Sequence, residues 1–415
     1  MKLEFGYGTG VQIVDVPDKN LLDVLVSNPL EHALRGAQAV RFALENPVGS
    51  KKLRDMVRPG QKVVIVTSDI SRPLPSFDVL PSVLDELSLS GIPDEDITVV
   101  FGLGSHRNQT EEEKKKLVGQ DVYSRVRCID SDPSDCVHYG VTKRGTPVDI
   151  TRSVAEADFR ICLGNVEFHY FAGYSGGYKA VMPGCSTPQA IQANHRMMVE
   201  ASAHAGKLEG NPIREDIEEA GAMVGVDFIV NVVLDEHKHI VFAAAGDVTL
   251  AHRRACEYLD KMYLKPLEKR ADIVLVSQGG APKDANLYQT QKALDNAKHA
   301  VKKGGTIILI GACQEGLGSR TFEDWLLEAK EPRDLIDRVH SAFQLGGHKA
   351  AAIAMVLQDA EIDLVSEMDD EFVRRIFLVP RKNAQEAFDE AMKRYGSSAT
   401  VIAMPFGGAT LPLSK

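Results

Sequence analysis

The sequence predicts an α/β protein of two domains, each with a largely parallel sheet, and an active site in the cleft between them. Two observations lead to this prediction. Short apolar runs of strand length alternate with longer segments of helical periodicity, which is typical of strands covered by helices on both faces. The chain of 415 residues is also long enough for about two or three domains.

A first series of strands and helices occupies the N-terminal part of the chain. Its buried strands are predicted at residues 62–66, 96–104 and 159–164, with helices at 77–89, 111–118, 188–205 and 212–223. Two further apolar runs, 227–235 and 239–246, flank a charged segment near residues 236–238. We therefore expect these two runs to pair as antiparallel strands.

A second series begins after a basic helix that ends near residue 269. Its strands are predicted at residues 271–280, 304–312, 375–380 and 400–404, with helices at 286–302 and 384–395. This repetition of strand and helix predicts another parallel sheet. We accordingly predict an N-terminal α/β domain, residues 1–265, and a C-terminal α/β domain, residues 266–415.

Composition and charge narrow the possible partners. The chain has 48 basic and 58 acidic residues, a net charge of −10, which argues against nucleic acid and against a polybasic membrane anchor. No apolar run approaches the roughly 20 residues needed to cross a bilayer, and the N-terminus does not resemble a signal peptide. Six cysteines are scattered without a C-x-x-C pair. We expect a cytoplasmic protein, and the sequence leaves the oligomeric state open.

Reactive side chains follow three of the predicted strands in the first series. They are Asp69, Ser71 and Arg72, then His106 and Arg107, then Glu167 and His169. Ligands of open α/β sheets bind beyond the carboxyl ends of the strands. If the three strands are neighbours, the imidazoles could transfer protons while a guanidinium binds an anionic substrate.

A glycine-rich segment follows the third strand. Its backbone, from Gly173 to Gly177, is predicted to expose N–H groups that suit a phosphate. The segment is not a Walker A loop, because Lys179 is followed by alanine. A lysine in such a loop is a candidate for covalent attachment of a cofactor. On its own, His195 would be a surface or capping residue of the predicted helix. The residues alone indicate an enzyme for a small anionic substrate and leave a Schiff-base lysine or an ordinary metal site open.

Taken together, five segments resemble the nickel-pincer-nucleotide lactate racemase family. They are DISRP at residues 69–73, GSHR at 104–107, GNVEFHYFAGYSGGYKAVMPG at 164–184, NH at 194–195 and PKDANLYQTQKAL at 282–294. The resemblance extends over roughly the first 295 residues, and the length and two-domain layout also fit the family.

The resemblance implies a cofactor that is built by separate maturation enzymes. It is the nickel-pincer nucleotide, a pyridinium-3-thioamide-5-thiocarboxylic acid mononucleotide that carries nickel and is joined covalently to Lys179. Without those enzymes the protein would be in its apo form. His195 would bind the nickel, a plausible ligand beside soft sulfur donors. Further cofactor contacts are assigned to Asp69, Ser71, Ser175, Gly176 and Gly177.

The resemblance also implies a racemase or epimerase of 2-hydroxy acids, whether lactate or larger acids, including sugar acids. His106 and His169 would be the acid/base pair, and the substrate would contact Arg72, Tyr178, Tyr288, Gln289 and Lys292. Hydride would leave the substrate carbon reversibly for the pincer ring through a 2-oxo acid intermediate, which avoids removing a very weakly acidic proton.

Tyr178 departs from the family pattern, which commonly has a small residue before the cofactor lysine. Its ring could shape the pocket or pack outward, so the substrate is left open. Two alternative functions also stay open: a dehydratase or dehydrogenase that uses the same crevice, and a non-enzymatic cofactor carrier. NAD(H) consumption would favour the dehydrogenase, and transfer of the intact cofactor to another protein would favour the carrier.

Overall fold

The computed structural model describes residues 1–414 and divides the chain into two compact units. One unit is Leu30–Lys261; the other combines Met1–Pro29 with the chain from Met262 onward. Each unit contains a six-stranded sheet with helices packed on it. The predicted α/β class with largely parallel sheets is therefore confirmed.

The secondary-structure elements are numbered in chain order. The strands are β1 (Lys2–Tyr7), β2 (Gly10–Asp15), β3 (Leu21–Val24), β4 (Val63–Ser68), β5 (Ile97–Gly102), β6 (Arg127–Asp130), β7 (Cys136–Val141), β8 (Pro147–Thr151), β9 (Phe159–Asn165), β10 (Phe168–His169), β11 (Gly173–Tyr174), β12 (Phe228–Leu234), β13 (Ile240–Gly246), β14 (Leu264–Leu267), β15 (Ala271–Ser277), β16 (Val301–Ile310), β17 (Ala360–Val365), β18 (Val379–Arg381), β19 (Val401–Met404) and β20 (Leu411–Ser414). The helices are α1 (Gly36–Glu45), α2 (Ser76–Leu89), α3 (Glu111–Val118), α4 (Gln120–Arg125), α5 (Arg152–Ala155), α6 (Pro188–His195), α7 (Pro212–Val224), α8 (Val248–Tyr263), α9 (Leu287–Ala297), α10 (Arg320–Glu328), α11 (Pro332–Ser341), α12 (Gly347–Leu357), α13 (Asp370–Arg375) and α14 (Ala384–Tyr395). Short 3-10 helices lie at Leu53–Asp55, Asp94–Asp96, Gly177–Ala180 and Arg196–Val199. Across residues 1–414, none of the helices has the length and apolar character needed to span a membrane.

The unit Leu30–Lys261 is organised around the sheet β13-β12-β9-β4-β5-β6. Its strands are parallel except for β13, which pairs antiparallel with β12, as predicted. The three predicted strands are confirmed as β4, β5 and β9, and β4 lies between the other two. Their Val, Ile and Phe side chains are buried in one hydrophobic core with residues of α1 and α2. The carboxyl ends of three adjacent parallel strands therefore meet at one edge.

Two predicted helices are too long. The predicted helix 188–205 begins at the expected residue, where the Thr187 hydroxyl accepts a hydrogen bond from the Ala190 N–H at 3.3 Å. It ends at His195 and is followed by a 3-10 turn. The predicted helix 286–302 is α9, which ends at Ala297. The chain turns there because Val301 pairs with Ala271 and starts β16.

The other unit contains the parallel sheet β18-β17-β16-β15-β19-β3. Its edge strand β3 comes from the N-terminus of the chain, with Leu21 opposite Val401. The β1–β2 hairpin belongs to the same core, in which Phe5 and Val14 are fully buried. Residues 1–29, which the predicted division at residue 265 placed in the N-terminal domain, therefore pack with the C-terminal part of the chain.

Candidate active site

The ends of β4 and β5 bring His106 against a buried carboxylate. His106 Nδ1 lies 2.7 Å from Asp69 Oδ2, and the Ser71 hydroxyl donates to Asp69 Oδ1 at 2.8 Å. Burial alone would raise the pKa of Asp69, but hydrogen bonds from His106 and Ser71 outweigh it and hold this pKa below its ordinary value. An anionic Asp69 keeps the proton of a neutral imidazole on Nδ1, so His106 Nε2 carries the lone pair that a general base needs.

His169 lies beyond β9, on the short β10–β11 hairpin. The Ala172 N–H approaches its Nδ1 at 3.3 Å, and the Phe171 ring meets the imidazole edge-on with centroids 4.4 Å apart. Burial lowers the pKa of His169 well below 6.5, and the positive charges of Lys179 and Arg72 lower it further. His169 is therefore neutral at neutral pH, the state in which it can accept a proton.

The loop that precedes Lys179 is held closely by the protein. Gly173 has a φ of +77°, and a Cβ at this position would lie 1.9 Å from the Lys207 carbonyl oxygen, so only glycine fits. The Ser175 hydroxyl donates to the Asn165 carbonyl at 2.7 Å, and the Gly177 N–H donates to Asn231 Oδ1 at 2.9 Å.

These contacts correct the expectation of exposed backbone N–H groups. Besides the Gly177 N–H, the Ser175 N–H donates to the Glu167 carbonyl at 2.9 Å. The amides at Ser175 and Gly177 are thus satisfied inside the protein and are not directed at a phosphate. Gly176 packs closely, since a Cβ there would lie 2.7 Å from Asn231 Oδ1. The assignment of these three residues to cofactor binding stays a prediction, and their visible role is to shape the loop.

Lys179 is half-buried, and its nitrogen has no hydrogen-bond or ion-pair partner among residues 1–414. Burial lowers the pKa of Lys179 well below 10.5, and the charges of Arg214 and Arg72 lower it further. A lysine without a partner in this environment favours the neutral amine, which is a nucleophile. The residue therefore fits the covalent attachment of an acyl group.

His195 ends α6 and is 7% exposed. Its Nδ1 lies 3.0 Å from Asn194 Oδ1, while the Asn194 amide donates to Asp216 Oδ2 at 2.8 Å. Because the Asn194 amide group is oriented by a buried carboxylate, its oxygen accepts the Nδ1 proton of His195. The lone pair is then on Nε2, as a metal-ligating imidazole requires. No group of three or more His, Cys, Asp or Glu side chains that could hold a metal occurs within residues 1–414.

Two residues near the predicted site make their closest contacts away from the His106–Asp69 pair. Tyr178 packs on α7, where a Cβ at Gly221 would lie 2.1 Å from the Tyr178 ring. The ring therefore packs at least partly against a helix, and the assignment of Tyr178 to the substrate stays a prediction. Arg107 is 67% exposed and pairs with Glu113, with an N–O distance of 2.6 Å, so its charge is neutralised in an ion pair outside the His106–Asp69 contact.

In the other unit, the first two turns of α9 carry Tyr288, Gln289 and Lys292. The sequence did not indicate Lys349, a buried residue of α12. Its nitrogen donates to the Tyr288 carbonyl at 2.6 Å and lies 4.1 Å from the centre of the Tyr288 ring. Burial lowers the pKa of Lys349 to about 7, with Lys292 as the next cause. Lys349 thus supports the helix turn to which the substrate contacts were assigned.

Comparisons with known proteins agree along the whole chain. Residues 7–206 match the lactate racemase N-terminal domain, and residues 267–411 match the lactate racemase C-terminal domain. A lactate racemase of Thermoanaerobacterium thermosaccharolyticum is 32% identical, with 100% of this chain and 99% of that protein covered. A lactate racemase of Lactiplantibacillus plantarum is 32% identical, with 98% of each chain covered.

Solved structures agree with these matches to lactate racemases. The lactate racemase apoprotein of T. thermosaccharolyticum has a TM-score of 0.91, with 99% of this chain and 100% of that chain covered. A protein of Thermotoga maritima has a TM-score of 0.65 at 19% identity, with 92% and 100% covered, and shares the fold.

Proposed function

The chain belongs to the lactate racemase family and is thus an isomerase, and from this premise we propose that it racemises or epimerises 2-hydroxy acids with the nickel-pincer nucleotide joined to Lys179. Lactate is the first candidate substrate, and larger 2-hydroxy acids or sugar acids are the others. The observation that carries the proposal is the meeting of three adjacent strand ends, which supply a carboxylate-backed imidazole, a neutral imidazole and an unpaired lysine amine.

The residues present fit the cofactor. Lys179 offers an amine whose pKa burial lowers well below its ordinary value, and His195 offers an imidazole whose tautomer is set by Asn194. When bound, the group would supply a reversible acceptor for the hydride of the substrate carbon, so that a 2-oxo acid forms transiently. Asp69 and Ser71 also support the proposal by orienting His106. Asp69 hydrogen-bonds to the His106 ring, and the Ser71 hydroxyl donates to Asp69.

The side chains of this protein would perform the proton transfers. His106, with its proton held on Nδ1 by Asp69, would take the hydroxyl proton of one enantiomer at Nε2. His169 would take the hydroxyl proton of the other enantiomer. Arg72 and Lys292 would bind the substrate carboxylate, with Gln289 and Tyr288 beside it, and this placement would hold the hydroxyl against the imidazoles.

The test uses protein produced together with the cofactor-maturation enzymes. We expect an added mass on Lys179, about one nickel ion per chain, and interconversion of enantiomers in a chiral screen from lactate to malate to aldonic acids. Lys179→Ala should abolish the added mass. His106→Ala and His169→Ala should keep it and lose turnover, while His138→Ala, on the β7–β8 hairpin, should keep both.

Three outcomes would refute the proposal. The first is a matured protein without an adduct on Lys179, and the second is full racemase activity in either histidine variant. The third is transfer of the intact cofactor to another protein without turnover of any 2-hydroxy acid, which would indicate a carrier. Consumption of NAD(H) with these substrates would instead indicate a dehydrogenase.

A further inference from the structure

Side chains from two helices hold the loop that precedes Lys179. Arg214 of α7 donates from Nε to the Ala172 carbonyl at 3.2 Å, and its terminal nitrogens donate to the carbonyls of Tyr174 and, at 3.5 Å, Gly176. His252 of α8 lies 2.8 Å through Nε2 from the Ser175 carbonyl. The loop carbonyls are thus bound by helix side chains rather than by solvent.

Arg214 is an unusual residue for a purely structural contact. Its side chain is fully buried, and all three of its hydrogen bonds go to carbonyl oxygens. The carboxylate that acts most strongly on the Arg214 charge, Glu218, makes its hydrogen bonds to Arg253, at 2.8 and 3.1 Å. Burial of a guanidinium that hydrogen-bonds to no carboxylate costs free energy. In the low dielectric of the interior, its positive charge also acts strongly on neighbouring groups.

Lys179 is one of those neighbours. The charged groups that act on its nitrogen are Arg214 on α7, Arg72 after β4 and Glu167 after β9. His169 and His252 also respond to the Lys179 charge, and both are held neutral by burial. Two fixed cations thus face the lysine against one carboxylate, and after burial itself Arg214 is the largest cause of the lowered Lys179 pKa.

We propose that Arg214 is a positioning residue for cofactor attachment: its fork fixes the loop that presents Lys179, and its buried charge disfavours a second cation on the lysine nitrogen. This inference rests on the proposed function, in which Lys179 is the attachment site. In that step the lysine nitrogen forms a bond to the carbon of a thiocarboxylic acid and loses a proton. Water leaves, a thioamide remains, and no oxidant or reductant is needed. Only the neutral amine has the lone pair for this bond.

The experiment measures the amine in the apo protein, without cofactor. Trace acetylation with acetic anhydride is followed by peptide mass spectrometry from about pH 6 to about pH 11, and Lys303, which is 85% exposed, is the reference within each sample. We expect Lys179 to be half-titrated at a markedly lower pH than Lys303. Arg214→Met, which keeps much of the volume and removes the charge, should raise the Lys179 midpoint by about one pH unit or more.

Hydrogen exchange separates the two parts of the proposal. Arg214→Lys keeps a cation but loses the fork, so it should speed amide exchange across residues 172–177 while moving the midpoint less than Arg214→Met does. Arg160→Met is the matched control. Arg160 also donates to backbone carbonyls of this unit, those of Val154 and Ala155, but it does not contact the loop. This variant should leave the Lys179 midpoint and the loop exchange unchanged.

The proposal is overturned if Lys179 titrates together with Lys303 in the unaltered protein, a result that needs no folded variant. It is also overturned if both Arg214 variants keep the original midpoint and exchange rates. A lowered midpoint combined with no adduct in matured protein would instead refute the proposed function. An adduct on Lys179 with unchanged behaviour of the Arg214 variants would refute only the role of Arg214.

Discussion

The contact between Asp69 and His106 gives the most direct test of the proposed chemistry. Asp69→Asn keeps the size of the side chain and removes the charge that holds the proton of His106 on Nδ1. The structure places the two groups 2.7 Å apart, with the Asp69 side chain 4% exposed and the His106 side chain 37% exposed. The substitution therefore affects one short, partly shielded, charge-assisted hydrogen bond.

The size of the expected fall in kcat follows from that geometry. A hydrogen bond to a charged group contributes about 1.5–3 kcal/mol, which corresponds to a fall in kcat of roughly 10- to 150-fold at about 1.4 kcal/mol per tenfold. Solvent reaches the exposed side of His106 and screens the charge, so we expect the lower part of this range, roughly 10- to 50-fold. Folding should change little, because asparagine can still hydrogen-bond to both neighbours.

The assay is the rate of enantiomer interconversion, measured by chiral chromatography from each enantiomer, with nickel content and the Lys179 adduct checked first. For lactate the two enantiomers are mirror images, so the equilibrium constant is unity and kcat/KM must fall by the same factor in both directions. Asp149→Asn is the matched control, since Asp149 holds His138 at 2.6 Å on the β7–β8 hairpin. A fully loaded Asp69→Asn protein that loses no more activity than this control would refute the role of Asp69.

Three further predictions concern folding and metal retention. The pKa of His252 in the folded protein lies well below 6.5 because of burial, so the unfolded chain binds a proton first as the pH falls and stability is lost below about pH 6.5. Urea unfolding should show that the free energy of unfolding falls by about 1 kcal/mol less in His252→Gln than in the unaltered protein between about pH 6.5 and 5.5. Equal falls in the two proteins would contradict this. Gly225→Ala, at a φ of +78° with no atom within 4 Å, should cost about 1–2 kcal/mol of unfolding free energy. Gly173→Ala should cost clearly more because of its clash, and equal losses would show that the contact relaxes. Asn194→Ala should keep the Lys179 adduct but weaken nickel retention by His195 roughly 10- to 100-fold. Nickel retention is measured as the nickel content after dialysis against a chelator. Unchanged retention would argue that Asn194 does not set the tautomer of His195.

The strands that lead into the site could be predicted from the sequence because each is a local signal. β4 is a run of Val and Ile that is buried along its length, and polar residues follow it at once. The order β9-β4-β5 could only be assumed, because strand neighbours are set by long-range pairing. The same limit explains the N-terminus, where Leu21 of β3 pairs with Val401, 380 residues further along the chain.

The supporting residues of the site could not be predicted from the sequence. An arginine on an amphipathic helix is usually solvated, so nothing in the pattern of α7 distinguishes Arg214 from the exposed Glu215 beside it. Asn231 lies in an apolar strand, and only the fold brings its oxygen to the Gly177 N–H. The expectation of exposed N–H groups failed for this reason, since a glycine-rich segment indicates a tight backbone but not the partner of each amide.

The two imidazoles of the candidate site differ in their electrostatic surroundings, and this has a consequence for a two-directional reaction. His106 Nδ1 lies 2.7 Å from the Asp69 carboxylate, whereas His169 has no such partner within residues 1–414 and burial, with the charges of Lys179 and Arg72, lowers its pKa. Under the proposed function, a neutral His169 would be ready as the base for the enantiomer whose hydroxyl proton it removes. One turnover from that enantiomer would leave the proton on His169, where burial disfavours it, and this proton would have to leave before the next turnover. Because kcat/KM must be equal in the two directions for lactate, we expect the difference between the two imidazoles to change kcat and KM together, so that each constant differs between the enantiomers while their ratio does not.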